Sequence, residues 1–575
     1  MAQGTGAPPV SVAARRAALA ARMPIWRPDT LDGAFARLAA EFATRPLVMC
    51  DGAVATYGET LARAERLARG LRALGLVPGD RVALIMANHP AFVPLAYAVW
   101  RLGCTLIPVN FAFQASELAF VLAQSRCRMV ITMGAFRGLD YLQMLDAEAP
   151  GWDRGAAPAL PELRQVVLHE ATRAGVPDVE AVERLGAADA TPLAPSPAAP
   201  LDPAVIMYTS GTTGAPKGVV QSHDNLLRSS FSIAHHRAYE DGRRILFALP
   251  LYHAFGLVVG VLACQWAGGA IIPQTQFDPV ATFAAIARHR ASDALFVPTM
   301  SIALIDHPAA QTHDLSSLFS VLIGAAPTPA RTWQQIIATL GLSEVSTGYG
   351  MTELSCATVL TRPGDPLSLI EKTVGCVVEG GASGLGGEGG RVAVYRTADP
   401  MTGDLLADGA EGELVCQSPM ATSGYFERPD LSAALFLPGG WLRSGDLGRI
   451  RPDGYIELTG RSKELYKSGG ELVAPREVEE ILASHPAVEQ AYVVGLPDET
   501  WGEIGAAWIV PATGATVAEA ELMDWCRVRL AKFKRPRHVL FTSAEGLPRT
   551  PTGKVKKHEL IVQAEQALGR SRDQN

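Results

Sequence analysis

The stretch Tyr208–Val219, YTSGTTGAPKGV, packs three glycines, four threonine or serine hydroxyls and one lysine into twelve residues. Glycines expose backbone N–H groups that can cradle an anion, and hydroxyls add donors. Lys217 supplies a mobile positive charge for outer phosphates, and Pro216 limits the loop's freedom. The preceding AVIMY is strand-like, so the loop hangs off a sheet edge. The spacing is not that of a Walker A loop, which needs a glycine directly before the lysine; here Pro216 precedes Lys217 and Gly218 follows it.

Three further constellations carry chemistry. In STGYGMTELS (Ser346–Ser355), Tyr349 is a flat ring between Gly348 and Gly350, suited to stacking on a base. Thr352 and Glu353 offer hard oxygens appropriate to Mg²⁺ on phosphates. In WLRSGDLGRI, Asp446 is expected in a tight turn between β segments, where a carboxylate can accept both hydroxyls of a ribose. In LPRTPTGKVKKHEL (Leu547–Leu560), Lys554 follows Thr552 and Gly553 in a proline-rich loop. Singly, an aspartate in a turn or a lysine near a C-terminus needs no special explanation.

Together, and in this order, the four motifs resemble those of the adenylate-forming superfamily: acyl- and aryl-CoA synthetases, peptide-synthetase adenylation domains and luciferases. GRSKELYKSGGELVAPREVEE adds a fifth match, and the likeness spans about Thr30 to Leu560. The bacterial medium-chain, alicyclic and aryl acyl-CoA ligases are the most similar branch. The resemblance implies an acid–thiol ligase using ATP, Mg²⁺ and CoA: a carboxylate attacks the α-phosphorus to give acyl-AMP and pyrophosphate, then CoA takes the acyl group. It implies that Thr209, Ser210, Gly211, Thr212, Thr213, Gly214 and Lys217 contact phosphates. Glu353 would hold the metal, with Thr352 near the α-phosphate. Tyr349 would stack on adenine beside the turn Gly324, Ala325, Ala326, Pro327. Asp446 and Arg461 would bind the ribose, and Lys554 would bridge the carboxylate and the α-phosphate. Lys463 matches the hinge position, and Gly469 and Gly470 match the loop passed by the pantetheine arm. His253 and Phe255, in PLYHAFG, match the acyl-pocket entrance, where His253 could gate between the acid and thiol steps. The rest of the pocket would draw on Gly324, Ala325, Ala326, Gly348 and Met351, which implies a bulky hydrophobic monocarboxylic acid. Glu464 and Tyr466 depart from the commoner Asp and Ile, and SGD from TGD. The alternative is a ligase that delivers the acyl group to a carrier protein, an amine or a partner enzyme.

The elements that must position these residues alternate. RVALIMAN, TLIPVN and MVITM read as buried strands, with PAFVPLAYAVWRLG and ELAFVLAQSRC as helices between them, which predicts a parallel sheet covered by helices. The Ala-, Pro- and acid-rich stretch from Gly155 to Pro203 reads as a surface connection. EGGASGLGGEGG (Glu379–Gly390) holds a formal GxGxxG, but a strand-like RVAVYR follows it, so it reads as a flexible insertion and not a dinucleotide fingerprint. From Gly412 short β segments take over, then REVEEILASHPAV forms an amphipathic helix. The expected fold is α/β: a large N-terminal domain of stacked α/β sheets with a small β-barrel-like part (1–460), and a small mobile α+β C-terminal domain (461–575).

Bulk properties agree with a soluble globular protein. The chain has 575 residues, a formal net charge of −7 and 19% charged residues, which argues against a dedicated nucleic-acid binder. The basic run KFKRPR (Lys532–Arg537) reads as a solvated face of the small domain. Eight scattered cysteines without a CxxC pair read as reduced, buried thiols of a cytoplasmic protein. Ile245–Phe277 lacks formal charge, but Pro250, His253, Gln265, Gly268, Gly269 and Pro273 interrupt it, so a buried helix with flanking strands is expected and no membrane span. The N-terminus, with Arg15, Arg16 and Arg22 and no acid, reads as a flexible lead and a short amphipathic helix. A monomer or homodimer is expected.

Overall fold

A computed structural model of the chain describes residues 10–50, 52–209, 216–324, 328, 330–386, 390–468, 471–550 and 553–569. Contacts divide the chain into two compact units, residues 1–394 with 417–440, and residues 395–416 with 441–575.

The first unit opens with helix α1 (Val12–Arg22), capped by the Ser11 side chain on the Ala14 N–H. Its arginines are tied down. Arg15 is buried against the Glu344 carboxylate, Arg16 pairs with Glu379 at 2.9 Å, and Arg22 pairs with Asp241 at 2.6 Å. The absence of acids in this segment is thus met by acids elsewhere in the unit.

A six-stranded sheet carries the alternation read from the sequence. Its strands are β1 (Arg81–Ile85), β2 (Thr105–Pro108), β3 (Met129–Met133), β4 (Gln165–His169), β5 (Pro203–Thr209) and β6 (Lys217–Ser222), in the order β6-β5-β2-β1-β3-β4. All neighbours are parallel except β5 and β6, a hairpin that places β6 at one edge. The Gly155–Pro203 stretch is more than a connection. It supplies edge strand β4 and a helix, Val179–Ala188, packed on the helix Tyr57–Ala73. Glu183 there pairs with Arg63 at 3.0 Å and Arg66 at 2.7 Å. Its surface-like composition hid a narrow apolar face of Val179, Val182 and Gly186.

A second, seven-stranded sheet runs in the order 344–346, 320–323, 293–296, 244–247, 270–273, 46–50, 53–56, parallel throughout save the last pair. A fully buried ion cluster lies in this part of the unit. Arg237 makes two bonds of 2.8 Å to the Asp293 carboxylate, and Arg243 reaches Asp293 at 3.0 Å and Glu240 at 2.7 Å. The two guanidinium groups hold the Asp293 carboxyl below its ordinary value against the opposing effect of burial. The uncharged run after Ile245 is strand, buried helix, strand, as expected. The helix Phe255–Leu262 is of the π type, with every residue buried. No helix among the described residues is long and apolar enough to cross a membrane.

The loop after Val378 has no helix behind it; strand Val394–Ala398 follows. Its described residues are well fastened: the Gly380 N–H donates to Gly390 at 2.7 Å, Leu385 to Arg391 at 2.8 Å, and Arg228 donates to the Ser383 carbonyl at 2.8 Å. The described part of the GxGxxG pattern, Gly384 and Gly386, therefore lies beside these hydrogen bonds, and Gly389 is outside the described residues.

In the second unit, β7 (Trp441–Ile450) pairs with β8 (Ile456–Arg461), and a C-terminal sheet contains β9 (Tyr466–Ser468), β10 (Val488–Asp498) and β11 (Gly502–Pro511). Alternate residues along β10 and β11 face two cores. Val493, Ala507 and Ile509 pack with Val478 and Leu482 of the helix Pro475–Ala483, while Val494, Leu496, Ala506 and Trp508 pack with Leu560 and Ala564. Tyr466, one of the departures noted above, is 1% exposed. Gly495 and Gly505 face each other across the strands, and a Cβ on either would lie 2.4 Å from Tyr466. Two bare backbones make room for the ring. In KFKRPR, Lys534 pairs with Glu477 at 2.7 Å and the Arg537 guanidinium lies 4.7 Å from the Trp501 ring centre. The cysteines are all free thiols, six of them buried.

Candidate functional site

The phosphate-loop motif falls on the β5–β6 hairpin. Thr209 ends β5, Lys217 begins β6, and the two are paired in register, which closes the base of the loop. Ser210, Gly211, Thr212, Thr213 and Gly214 lie outside the described residues. Backing this hairpin is the Thr352–Glu353 turn, between the strands Gly348–Met351 and Cys356–Leu360. Gln221 of β6 donates to the Thr352 carbonyl at 2.5 Å, and Ser355 Oγ donates to Gln221 at 2.7 Å. Ser355 and Cys356 have φ of +60° and +126°, left-handed conformations that cost non-glycine residues energy. The surroundings enforce them: Ser355 Oγ also lies 3.0 Å from the Met420 carbonyl, and the Ser355 carbonyl accepts from Ser229 at 3.0 Å.

A segment missed by the sequence reading completes this group. Residues 419–426 run beside β6: Val220 N–H donates to Gly424 at 3.1 Å, and Phe426 N–H to Gly218 at 2.7 Å. Thr422 N–H donates to the Glu353 carbonyl at 2.7 Å. From this segment the Tyr425 hydroxyl donates to Glu353 Oε1 at 2.8 Å, and the Lys217 ammonium lies 5.5 Å from the Tyr425 ring centre. Nothing in SGYFERPD marks a catalytic role by residue type, so only the fold reveals the contact.

Tyr349 is buried and Gly350 exposed. Gly324, Phe255 and His253 are also brought together in this unit. A Cβ on Gly324 would lie 3.3 Å from the Phe255 ring, and His253 Nδ1 accepts the Phe255 N–H at 3.1 Å. Burial pushes the His253 pKa down to about 4, so its ring is neutral at physiological pH. Tyr252 packs edge-on against Phe111, ring centres 5.1 Å apart. Ala325, Ala326 and Pro327 lie outside the described residues.

The second unit holds the other group. Asp446 is not in a turn between β segments but within β7, directly opposite Arg461 of β8, with a 2.9 Å ion pair. The SGD triplet makes a bulge instead: Gly445 has φ of +73°, Ser444 Oγ donates to Leu414 at 2.6 Å, and Gly445 N–H donates to Glu413 at 2.9 Å. Lys554 is half-buried in the neighbourhood of Arg461, Asp446 and Glu464. Burial, helped by Arg461, pushes its pKa down to about 8. Lys463 is exposed in the short 3-10 turn Ser462–Glu464, while Glu464 accepts Lys557 at 2.6 Å. Gly469 and Gly470 lie outside the described residues.

The first unit thus holds the hairpin that carries the glycine–threonine motif, braced against the Glu353 turn, and the second holds an Asp–Arg pair and a lysine of lowered pKa. Residues 35–426 match the family model of the AMP-binding enzyme, and residues 477–554 match that of the AMP-binding enzyme C-terminal domain. The chain belongs to this AMP-binding enzyme family. It is 35% identical to a feruloyl-CoA synthase of an Amycolatopsis species, over 88% of this chain and 94% of the relative. It is 34% identical to a Mycobacterium tuberculosis 3-[(3aS,4S,7aS)-7a-methyl-1,5-dioxo-octahydro-1H-inden-4-yl]propanoyl:CoA ligase, over 86% and 90%. Among solved structures it is similar to the anthranilate CoA ligase AuaEII in complex with anthranoyl-AMP, with a TM-score of 0.80 and 25% identity over 96% of this chain and 99% of that one. The protein is an AMP-forming acid–thiol ligase, which activates a carboxylic acid as its acyl-adenylate and passes it to CoA.

Proposed function

We propose that the acid is a bulky hydrophobic monocarboxylate, aromatic, alicyclic, terpenoid-like or medium-chain. The observation that carries this is the close approach of the Phe255 ring to Gly324, with a neutral His253 bonded to the Phe255 N–H. Feruloyl and the bicyclic indenyl propanoyl group named for two relatives are bulky and largely apolar, which supports the same class.

The residue roles follow as part of the proposal. The hairpin loop flanked by Thr209 and Lys217 holds the β- and γ-phosphates through backbone N–H groups and hydroxyls. Tyr349 takes the adenine, and Asp446 with Arg461 takes the ribose hydroxyls. Glu353 fits Mg²⁺: it is a hard-oxygen donor, half-buried, with one carboxylate oxygen already fixed by Tyr425. A magnesium ion there would neutralise phosphate charge as the substrate carboxylate approaches. Lys554, protonated, offsets the charge of two anions drawn together, and water exclusion strengthens that effect. Lys463 serves as the hinge about which residues 461–575 turn between adenylation and thioester formation, with Gly469 and Gly470 lining the path of the thiol arm.

The test is incubation with Mg·ATP and a panel of hydrophobic acids, with and without CoA, read by mass spectrometry. Acyl-CoA with AMP from an aromatic or alicyclic acid is the expected result. A preference for acetate or a dicarboxylate would overturn the pocket reading. Acyl-AMP that accumulates and ignores CoA would point to a carrier protein, an amine or a partner enzyme as the acceptor.

A further inference from the structure

We propose that Tyr425 is a positioning residue for the adenylation step: it orients the Glu353 carboxylate for the metal ion and couples that carboxylate to Lys217 of the phosphate loop. The inference rests on the reading of Glu353 as the metal-holding group.

The geometry is specific. Tyr425 lies on the 419–426 segment, which runs along β6, the strand that begins with Lys217. The segment is clamped at both ends. Asn225 donates to the Pro419 carbonyl at 2.8 Å, and Gln124 to the Phe426 carbonyl at 2.8 Å. Thr422 braces the middle, its N–H on the Glu353 carbonyl and its hydroxyl on the Val220 carbonyl at 2.5 Å. The Tyr425 side chain is thus aimed by backbone bonds to both of the elements it joins. Its hydroxyl meets Glu353 Oε1 at 2.8 Å, a charge-assisted bond, and its ring faces the Lys217 ammonium at 5.5 Å. The phenol hydroxyl is the donor of that bond and the Glu353 oxygen its acceptor.

A donor of this kind does two things. It fixes which carboxylate oxygen is turned toward the protein and which is left to an ion. It also ties the Glu353 turn to the strand bearing Lys217, so that the two charges addressing the phosphates are held from one point. Partners behind a metal ligand commonly govern affinity in this way, their loss costing about 10- to 100-fold.

The experiment compares wild type, Tyr425→Phe and Glu353→Gln in the full chain. Mn²⁺ binding in the presence of a non-hydrolysable ATP analogue is titrated by electron paramagnetic resonance. The rate of acyl-adenylate formation is measured across Mg²⁺ concentrations, and melting temperature monitors folding. Tyr425→Phe, which keeps the ring over Lys217, is expected to weaken Mn²⁺ binding about tenfold, and to raise the Mg²⁺ needed for half-maximal rate by a similar factor. Saturating Mg²⁺ should restore most of the rate, with KM for the acid and the melting temperature unchanged. If Glu353→Gln loses Mn²⁺ binding while Tyr425→Phe binds as wild type, the positioning role is overturned and the reading of Glu353 stands. If Glu353→Gln binds Mn²⁺ as wild type, that reading fails and the proposal with it. A slow Tyr425→Phe enzyme with unchanged metal affinity and no rescue by Mg²⁺ would also overturn it.

Discussion

Lys554 concentrates the electrostatic question of this molecule in one ammonium group. Its pKa of about 8 places loss of charge inside the working range. If the protonated form neutralises charge during adenylation, kcat/KM for that step falls as pH rises through about 8, since this parameter reports the free enzyme. Lys554→Arg should move the fall to higher pH, because a guanidinium stays charged. Lys554→Ala should lower acyl-adenylate formation about 100- to 1000-fold. Thioester formation from supplied acyl-AMP should survive in that variant. Unchanged adenylation would remove Lys554 from its proposed role. The proline-rich motif marks Lys554 as a candidate and the SGD and GRSKE motifs mark Asp446 and Arg461, but no motif shows that the last two pair across β7 and β8. Tyr425 and Gln221 were invisible for a plain reason: the side-chain hydrogen bonds of each run to residues far along the chain, and spacing records no such distance.

At the scale of elements, β9 shows how a departure is absorbed. Tyr466 needs the space above the Gly495–Gly505 pair. Gly505→Ala should cost about 1–3 kcal/mol by overpacking, measured as a shift of the urea midpoint. Tyr466→Ile in the same background should recover much of that loss, a coupling that a double-mutant cycle would report. No coupling would mean that the ring does not fill the space. The buried ion cluster makes a second prediction. Asp293→Ala leaves Arg237 buried without a carboxylate and Arg243 with Glu240 alone, and should destabilise the fold by about 3–5 kcal/mol in the same assay. The strands β1, β2 and β3 were readable because each is a short apolar run between helical patterns. The π-helix was not, since FGLVVGVL is apolar throughout and its period cannot separate one helical winding from another. Edge strand β4 and the helix after it hid behind proline, alanine and acids.

At the scale of the molecule, three histidines set an acid limit. Burial lowers the pKa of His223 to about 4, His236 to about 3 and His253 to about 4, from an ordinary 6.5. Below 6.5 the unfolded chain takes up protons that the native one refuses, so stability falls as pH drops from about 6.5 to about 4. Urea midpoints across that window should decline, and His223→Gln should flatten the decline; a flat profile in the wild type would show that these rings charge freely. Helix α1 makes a further prediction for the whole fold. Deleting residues 1–22 leaves the Glu344 carboxylate buried without Arg15 and should cost about 3–5 kcal/mol, read as a lower melting temperature. Glu344→Gln in the shortened chain should return part of it.

The interleaving of the two units, 1–394 with 417–440 against 395–416 with 441–575, also bears on how such enzymes can be recombined. A hybrid joined to another parent at one splice point after residue 416 inherits the 395–416 segment from one parent and the strands it belongs with from the other. The mismatch would fall on the Glu413 contacts, where that carboxylate receives Arg443 and the Gly445 N–H beside Asp446. A crossover near 394, or near 460 where the hinge is proposed, keeps those partners from a single parent. Exchanging substrate preference by swapping only 1–394 with 417–440 would demand three matched joints.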